Sequence, residues 1–149
     1  MPLLRVTVTP GAFDEEQRHR LVAALTDAAC RAESVPDEPK RRALALALVD
    51  EPGQFYSAGA PAADAVAGAF VEWQVSAGVL DAARKEQFAR DLQACVEELA
   101  GPARLAVTSC IVTEVPEGQW AQNGAIRRLP EMARTGGFGH LELINEPRR

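Results

Sequence analysis

The sequence predicts an α+β domain: two tandem β-α-β units form one four-stranded sheet, with both helices on one face and short hairpins as edge or subunit contacts. Three observations lead there. A β-branched strand is followed by an amphipathic helix early in the chain, the same order of elements returns 67 residues later, and a similar turn peptide closes each unit. The chain of 149 residues, 47% hydrophobic and 25% charged, is long enough to bury one core. We read it as a single domain over 1–149, with repeats at approximately 2–66 and 67–130 and a tail at 131–149.

The first strand is LLRVTVT (3–9), and Pro10-Gly11 supplies the turn after it. Asp14 reads as a helix N-cap with Gln17 three positions on, and Leu21, Val22, Leu25, Ala28 and Ala29 recur at helical spacing to about Ser34. Val35-Pro36 and Pro39 stop that helix. The apolar run 43–49 is expected to be a buried strand, although its Ala and Leu content is more helix-like and only its counterpart later in the chain decides the matter.

That counterpart begins with FVEWQVSAG (70–78), a strand and a glycine turn, after which Asp81 opens a second helix with Phe88, Leu92, Cys95, Val96 and Leu99 as its buried stripe. A shift of 67 maps Val8 to Val75, Gly11 to Gly78, Asp14 to Asp81, Leu21 to Phe88 and Leu25 to Leu92. Gly101-Pro102 breaks the helix, and RLAVTSCIVTE (104–114) is a strong strand that argues for another at 43–49. EPGQFYSAG (51–59) then matches EVPEGQWAQNG (114–124) with two inserted residues, pairing Gln54 with Gln119, Phe55 with Trp120 and Gly59 with Gly124. Two unrelated turns would not share the strand, helix and strand that precede them. Exposed edges of such a sheet favour oligomerisation.

Composition narrows the function. With a net charge of −5 and interspersed Lys and Arg, no basic face is available for nucleic acid. No apolar run approaches the ~18 residues that span a bilayer, and MPLLRVTV lacks a secretory pattern, so no membrane partner and a cytoplasmic location are expected. Cys30, Cys95 and Cys110 are odd in number and lack CxxC spacing, and read as reduced core thiols. His19 and His140 are scattered, which gives no support for a metal site, and no cofactor is expected.

A doubled β-α-β chain with proline directly after the initiator Met resembles the tautomerase superfamily, in particular the group around cis-3-chloroacrylic acid dehalogenase. The resemblance covers residues 2 to about 130 and is carried by Pro2, TDA (26–28), EPGQFYSAG, EVPEGQWAQNG and RRLP (127–130). It implies a homotrimer of fused chains, each presenting one catalytic amino-terminal proline in a pocket near a subunit boundary, and a small carboxylate or carbonyl substrate.

Such a proline has a physical rationale of its own. Met before a small residue is usually removed, a free amino terminus titrates near ~7.7 to 8.0, and desolvation or nearby cations lower that further. The ring also fixes the lone-pair direction. Met-Pro alone equally fits the start of an edge strand. The counterpart of Pro2 in the second repeat, Ala69, is not a chain terminus, so only the first repeat can supply the amine.

The dehalogenases resembled here surround the proline with a histidine, two arginines, a tyrosine and a glutamate. Matching motif to motif, this sequence has Ala29 at the histidine, Ile111 at the tyrosine, Gln122 at the glutamate, and AGVL (77–80), without a cation, where the arginines would stand. Hydrolytic dehalogenation is therefore not expected, nor is the malonate semialdehyde decarboxylase pattern. What survives is a cofactor-independent tautomerase or isomerase, with Pro2 as general base on a small 2-oxo acid or enol. Arg127, Arg128, Gln122 and Asn123 are the candidate substrate clamp, the arginines having solvation or pairing with Glu131 as their other reading. Trp120 either walls the pocket or fills a subunit interface. Two alternatives stand beside this: a hydratase-like or lyase-like enzyme on an unsaturated acid with Pro2 as acid or nucleophile, and an inactive trimeric scaffold or ligand-binding protein.

Overall fold

The structure, a computed structural model, describes residues 1–131. Its elements are β1 (Leu3–Val8), α1 (Glu15–Ala32), α2 (Pro39–Arg42), β2 (Leu46–Asp50), β3 (Tyr56–Ser57), β4 (Ala60–Pro61), β5 (Val66–Ser76), α3 (Ala82–Ala100), β6 (Leu105–Val115), β7 (Ala121–Gln122) and β8 (Ala125–Ile126). Nearly all of the expected tail, including His140, lies outside the described residues.

The sheet runs β2-β1-β5-β6, parallel within each unit and antiparallel between β1 and β5. This is the predicted α+β architecture. In the antiparallel register Arg5 faces Glu72, its own counterpart under the shift of 67, so an approximate twofold axis passes between them. Alternation along β1 and β5 turns Leu4, Val6, Val8, Val71, Trp73 and Val75 to one buried face, where they form a core with Leu21, Leu25, Ala29, Phe88, Leu92 and Val96 of α1 and α3. Trp73 lies against Phe88 with ring centroids 4.4 Å apart. The other face of the sheet is open. Arg5, Thr7, Asp50, Phe70, Glu72, Ser109 and Ile111 line a groove of about 480 Å³ there.

Both long helices start as the sequence requires. Asp14 accepts from Gln17 N and Gln17 closes a capping box on the Asp14 backbone, whereas Asp81 accepts from Arg84 N without a reciprocal bond. The hairpins also repeat. Ala58-Gly59 and Asn123-Gly124 turn the two of them, all four residues at positive φ between 50° and 81°. Left-handed backbone at both central positions is the turn that matches strand twist, and Gly59 and Gly124 adopt it without a Cβ penalty.

Two expectations need correction. The run 43–49 does not begin as a strand: Pro39 starts the short helix α2, and Ala43, Leu44 and Ala45 continue its turn by bonding to Pro39, Arg41 and Arg42 carbonyls. Proline's fixed φ suits a first helical position, so Pro39 opens a helix here. The strand that follows is also not buried, with Leu46 and Leu48 about half exposed at 52% and 51%, because β2 is an edge strand whose Leu residues face the open side. The insertion is measurable in the register: Leu3 pairs 43 positions on, with Leu46, and its counterpart Phe70 pairs 39 positions on, with Ser109. The difference of four equals the length of α2. The second sheet segment is longer than FVEWQVSAG suggested, since β5 extends back to Val66.

Candidate active site

Pro2 immediately precedes β1 and is buried. Its carbonyl accepts from Leu46 N at 3.0 Å, so β2 fixes the chain at this residue. One residue earlier, the Met1 ammonium forms an ion pair with Glu33 Oε2. The other carboxylate oxygen of Glu33 accepts from Trp73 Nε1 at 3.0 Å. Glu33 is the C-cap residue of α1, its N–H donating to Ala29 O, and its side chain is only 1% exposed. Burial pushes its carboxyl above the usual carboxylate range, opposed by the terminal ammonium and by the Trp73 indole.

Around this pair stand Cys30 and Asp27 of α1 and Arg42 of α2. Arg42 bonds to Asp27 and lies 3.6 Å from Asp37, so its charge is engaged at the rim. The Cys30 thiol is pushed up by burial, with Arg42 and the terminal ammonium pulling the other way, which leaves it a poor nucleophile. Glu33 escaped sequence reasoning, though a signal was present. Leu21, Leu25, Ala29 and Glu33 follow one another at spacing four on the buried stripe, and an acid in phase with that stripe must enter the core.

The register also places the proposed clamp. Leu3 pairs with Gln74, and Gln74 with Thr113, so the start of β1 and the ends of β5 and β6 share one end of the sheet. The β7–β8 hairpin leaves from that end. The β3–β4 hairpin follows β2 at the opposite end, since Thr7 pairs with Asp50. On the β7–β8 hairpin, Trp120, Gln122 and Arg127 are half-buried, while Asn123 and Arg128 are exposed, Asn123 at the turn. Arg127 N donates to Trp120 O at 2.7 Å. Two side-chain atoms there, Gln122 Oε1 and Arg127 Nε, are buried without a hydrogen-bond partner. Among the described residues no hydrogen bond or ion pair joins Trp120, Gln122, Asn123, Arg127 or Arg128 to Pro2.

Three motif-matched positions can be read directly. Ala29 is a core residue of α1, and Ile111 lies on the open sheet face, 61% exposed. The AGVL turn at 77–80 buries Val79 and Leu80, but it is not without a cation. The first turn of α3 brings Arg84 back over it, Nη1 donating to Val79 O at 3.2 Å, a contact invisible when only the turn is read.

The sequence matches no family model and no curated protein. Solved structures do match. A fused 4-OT, solved as an asymmetric trimer, is 19% identical over 91% of this chain and 98% of that one, with a TM-score of 0.65. The macrophage migration inhibitory factor of Toxoplasma gondii is 17% identical over 84% and 99%, with a TM-score of 0.64. The chain shares the fold of these two proteins. Pt0534 inactivated by 2-oxo-3-pentynoate has this fold too, 16% identical over 83% and 94% with a TM-score of 0.63. On this frame the terminal ammonium, just before β1, pairs with an acid, Glu33, that also accepts from the Trp73 indole.

Proposed function

We propose that the chain is a cofactor-independent tautomerase or isomerase acting on a small 2-oxo acid or enol, with Pro2 as the working amine once Met1 is removed. One observation carries the reading: the amino terminus is held in a buried, polar-lined position that the second unit cannot reproduce, because Ala69 is a mid-strand core residue. The narrower kinship with the dehalogenase-like group rests on the Pro2, TDA and hairpin motifs. That one relative of this fold is inactivated by 2-oxo-3-pentynoate, by its name a 2-oxo acid anion, supports the substrate class.

In the neutral form, Pro2 removes a proton alpha to the carbonyl. The negative charge passes to the carbonyl oxygen, and the proton returns from the ammonium to the other carbon or to oxygen. Arg127 and Gln122 are the clamp residues best supported, since each keeps a buried polar atom without a partner, a state that a ligand or a second subunit relieves. Arg128, Asn123 and Trp120 complete the same hairpin, with Asn123 also serving the turn. A homotrimer fits the uncovered sheet face with its exposed Leu46, Leu48 and Ile111, and related folds are solved as 4-OT trimers.

The hydratase-like reading, in which Pro2 works as an acid, is favoured by the ion pair between Glu33 and the terminal ammonium. An ultraviolet assay of enol-to-keto conversion over a panel of 2-oxo acids separates the readings. Ketonisation abolished by Pro2→Ala supports the tautomerase. Water addition to unsaturated acids without ketonisation supports the hydratase, and neither activity leaves the scaffold.

A further inference from the structure

Glu33 is the only charged side chain fully buried among the described residues. Nothing in packing calls for an acid at this point of the α1 stripe, where an apolar residue would continue the core. Its two oxygens are both engaged, one by the Trp73 indole and the other by the chain's terminal ammonium. The other charged or titratable groups around it, Asp27 and Cys30 of α1 and Arg42 of α2, do not bond to it, and Arg42 is taken by Asp27 and Asp37. The terminal ammonium is therefore its direct counter-charge.

We propose that Glu33 is a positioning residue for the terminal amine: after Met1 leaves, its carboxylate pairs with Pro2 and holds it as the ammonium, so the resting enzyme presents a proton donor. This rests on the reading of Pro2 as the working group. Three bonds separate the Met1 and Pro2 nitrogens, so losing Met1 moves the terminus by less than about 4 Å, within the rotamer reach of a glutamate. The bond from Leu46 N to Pro2 O keeps the proline in place meanwhile. A buried carboxylate stripped of its counter-charge is strongly unfavourable, and the Glu33 side chain relieves this by reaching across to the Pro2 ammonium.

The consequence is which substrate form the resting enzyme can use, because taking a proton from the keto form, as proposed above, needs the neutral amine, which appears only above the amine's titration midpoint. A substrate arriving as an enolate meets an N–H donor: the N–H bond breaks as a C–H bond forms at carbon, the enolate oxygen becomes the carbonyl, and the neutral amine regains its proton from water. Glu33 itself, out of contact with solvent, never meets the substrate.

The test reads the amine without any substrate. The rate of labelling of the terminal amine by cyanate, followed by intact mass against pH, gives the midpoint at which the neutral amine appears. In Glu33→Gln, which retains an acceptor for Trp73, the midpoint should fall by about one pH unit, so that labelling at pH 7 is about tenfold faster than in the wild type. Glu33→Asp should recover part of the shift. Equal midpoints in wild type and Glu33→Gln would overturn the proposal. If Glu33→Gln does not fold, Glu33→Asp serves, since it keeps the charge but draws it back by one methylene; a lowered midpoint supports the pair and an unchanged one contradicts it. Intact mass also shows whether Met1 was removed, and Pro2→Ala turnover reports on the functional reading separately.

Discussion

At the scale of single residues, Glu33 adds a pH-dependent contribution to stability. Its carboxyl binds protons more tightly folded than at the ordinary value of 4.5. The folded state therefore holds the extra proton, and the stability tied to it is full below that value and lost as pH rises through the folded titration. Denaturant midpoints of the wild type should fall from pH 4.5 to 7 more than those of Glu33→Gln, in which the group cannot ionise. Parallel profiles would place the pH dependence elsewhere. Legibility was uneven at this scale. Pro2 could be proposed from its position alone, because the chemistry proposed for it needs only a chain terminus. Glu33 was legible only as an acid in phase with the buried stripe of α1, which says nothing of what it meets, and Arg84 was hidden because α3 folds it back over the preceding turn.

Among the elements, both helices were readable from the sequence because their signals are local: a capping Asp, a stripe at helical spacing, and a breaker. Each cap holds one backbone N–H with an aspartate side chain, and the first adds a reciprocal bond from Asp14 N to Gln17. Asp14→Ala removes the acceptor of Gln17 N but leaves the backbone N–H of residue 14 on Gln17 Oε1, and Asp81→Ala removes the acceptor of Arg84 N, so each should destabilise by about 1 kcal/mol. Urea titrations of the two variants measure this directly, and an unchanged midpoint in either would contradict the cap at that position. The run 43–49 was read less well for the converse reason. Its strand pairing with β1 is a long-range event, whereas Pro39 and the alanines offer a local helical turn, and the local turn prevails as far as Ala45. Its exposure was equally hidden, since apolar residues on an edge strand look the same in sequence whether a helix or another subunit covers them.

For the whole molecule, the doubled unit explains both what the fold has and what it has only once. The shift of 67 produces two helices, two parallel strand pairs and two hairpins about an axis at Arg5 and Glu72, but one amino terminus. The open face on that axis is too apolar to suit water well, with Leu46, Leu48 and Ile111 exposed around the Arg5 groove. Sedimentation should give a trimer, and Ile111→Glu should shift it toward monomer with little change in helical circular dichroism. A wild-type monomer would require another explanation for that face.

The central claim is that a single terminal amine, Pro2, moves a proton at carbon next to a carbonyl. It is tested most directly by following deuterium uptake from heavy water into phenylpyruvate by NMR, with the protein verified by mass to lack Met1. The wild type should accelerate exchange at the carbon alpha to the carbonyl, and Pro2→Ala should fall by about 100-fold or more, in the range that a positioned acid–base group contributes. Equal exchange by the two proteins would contradict it.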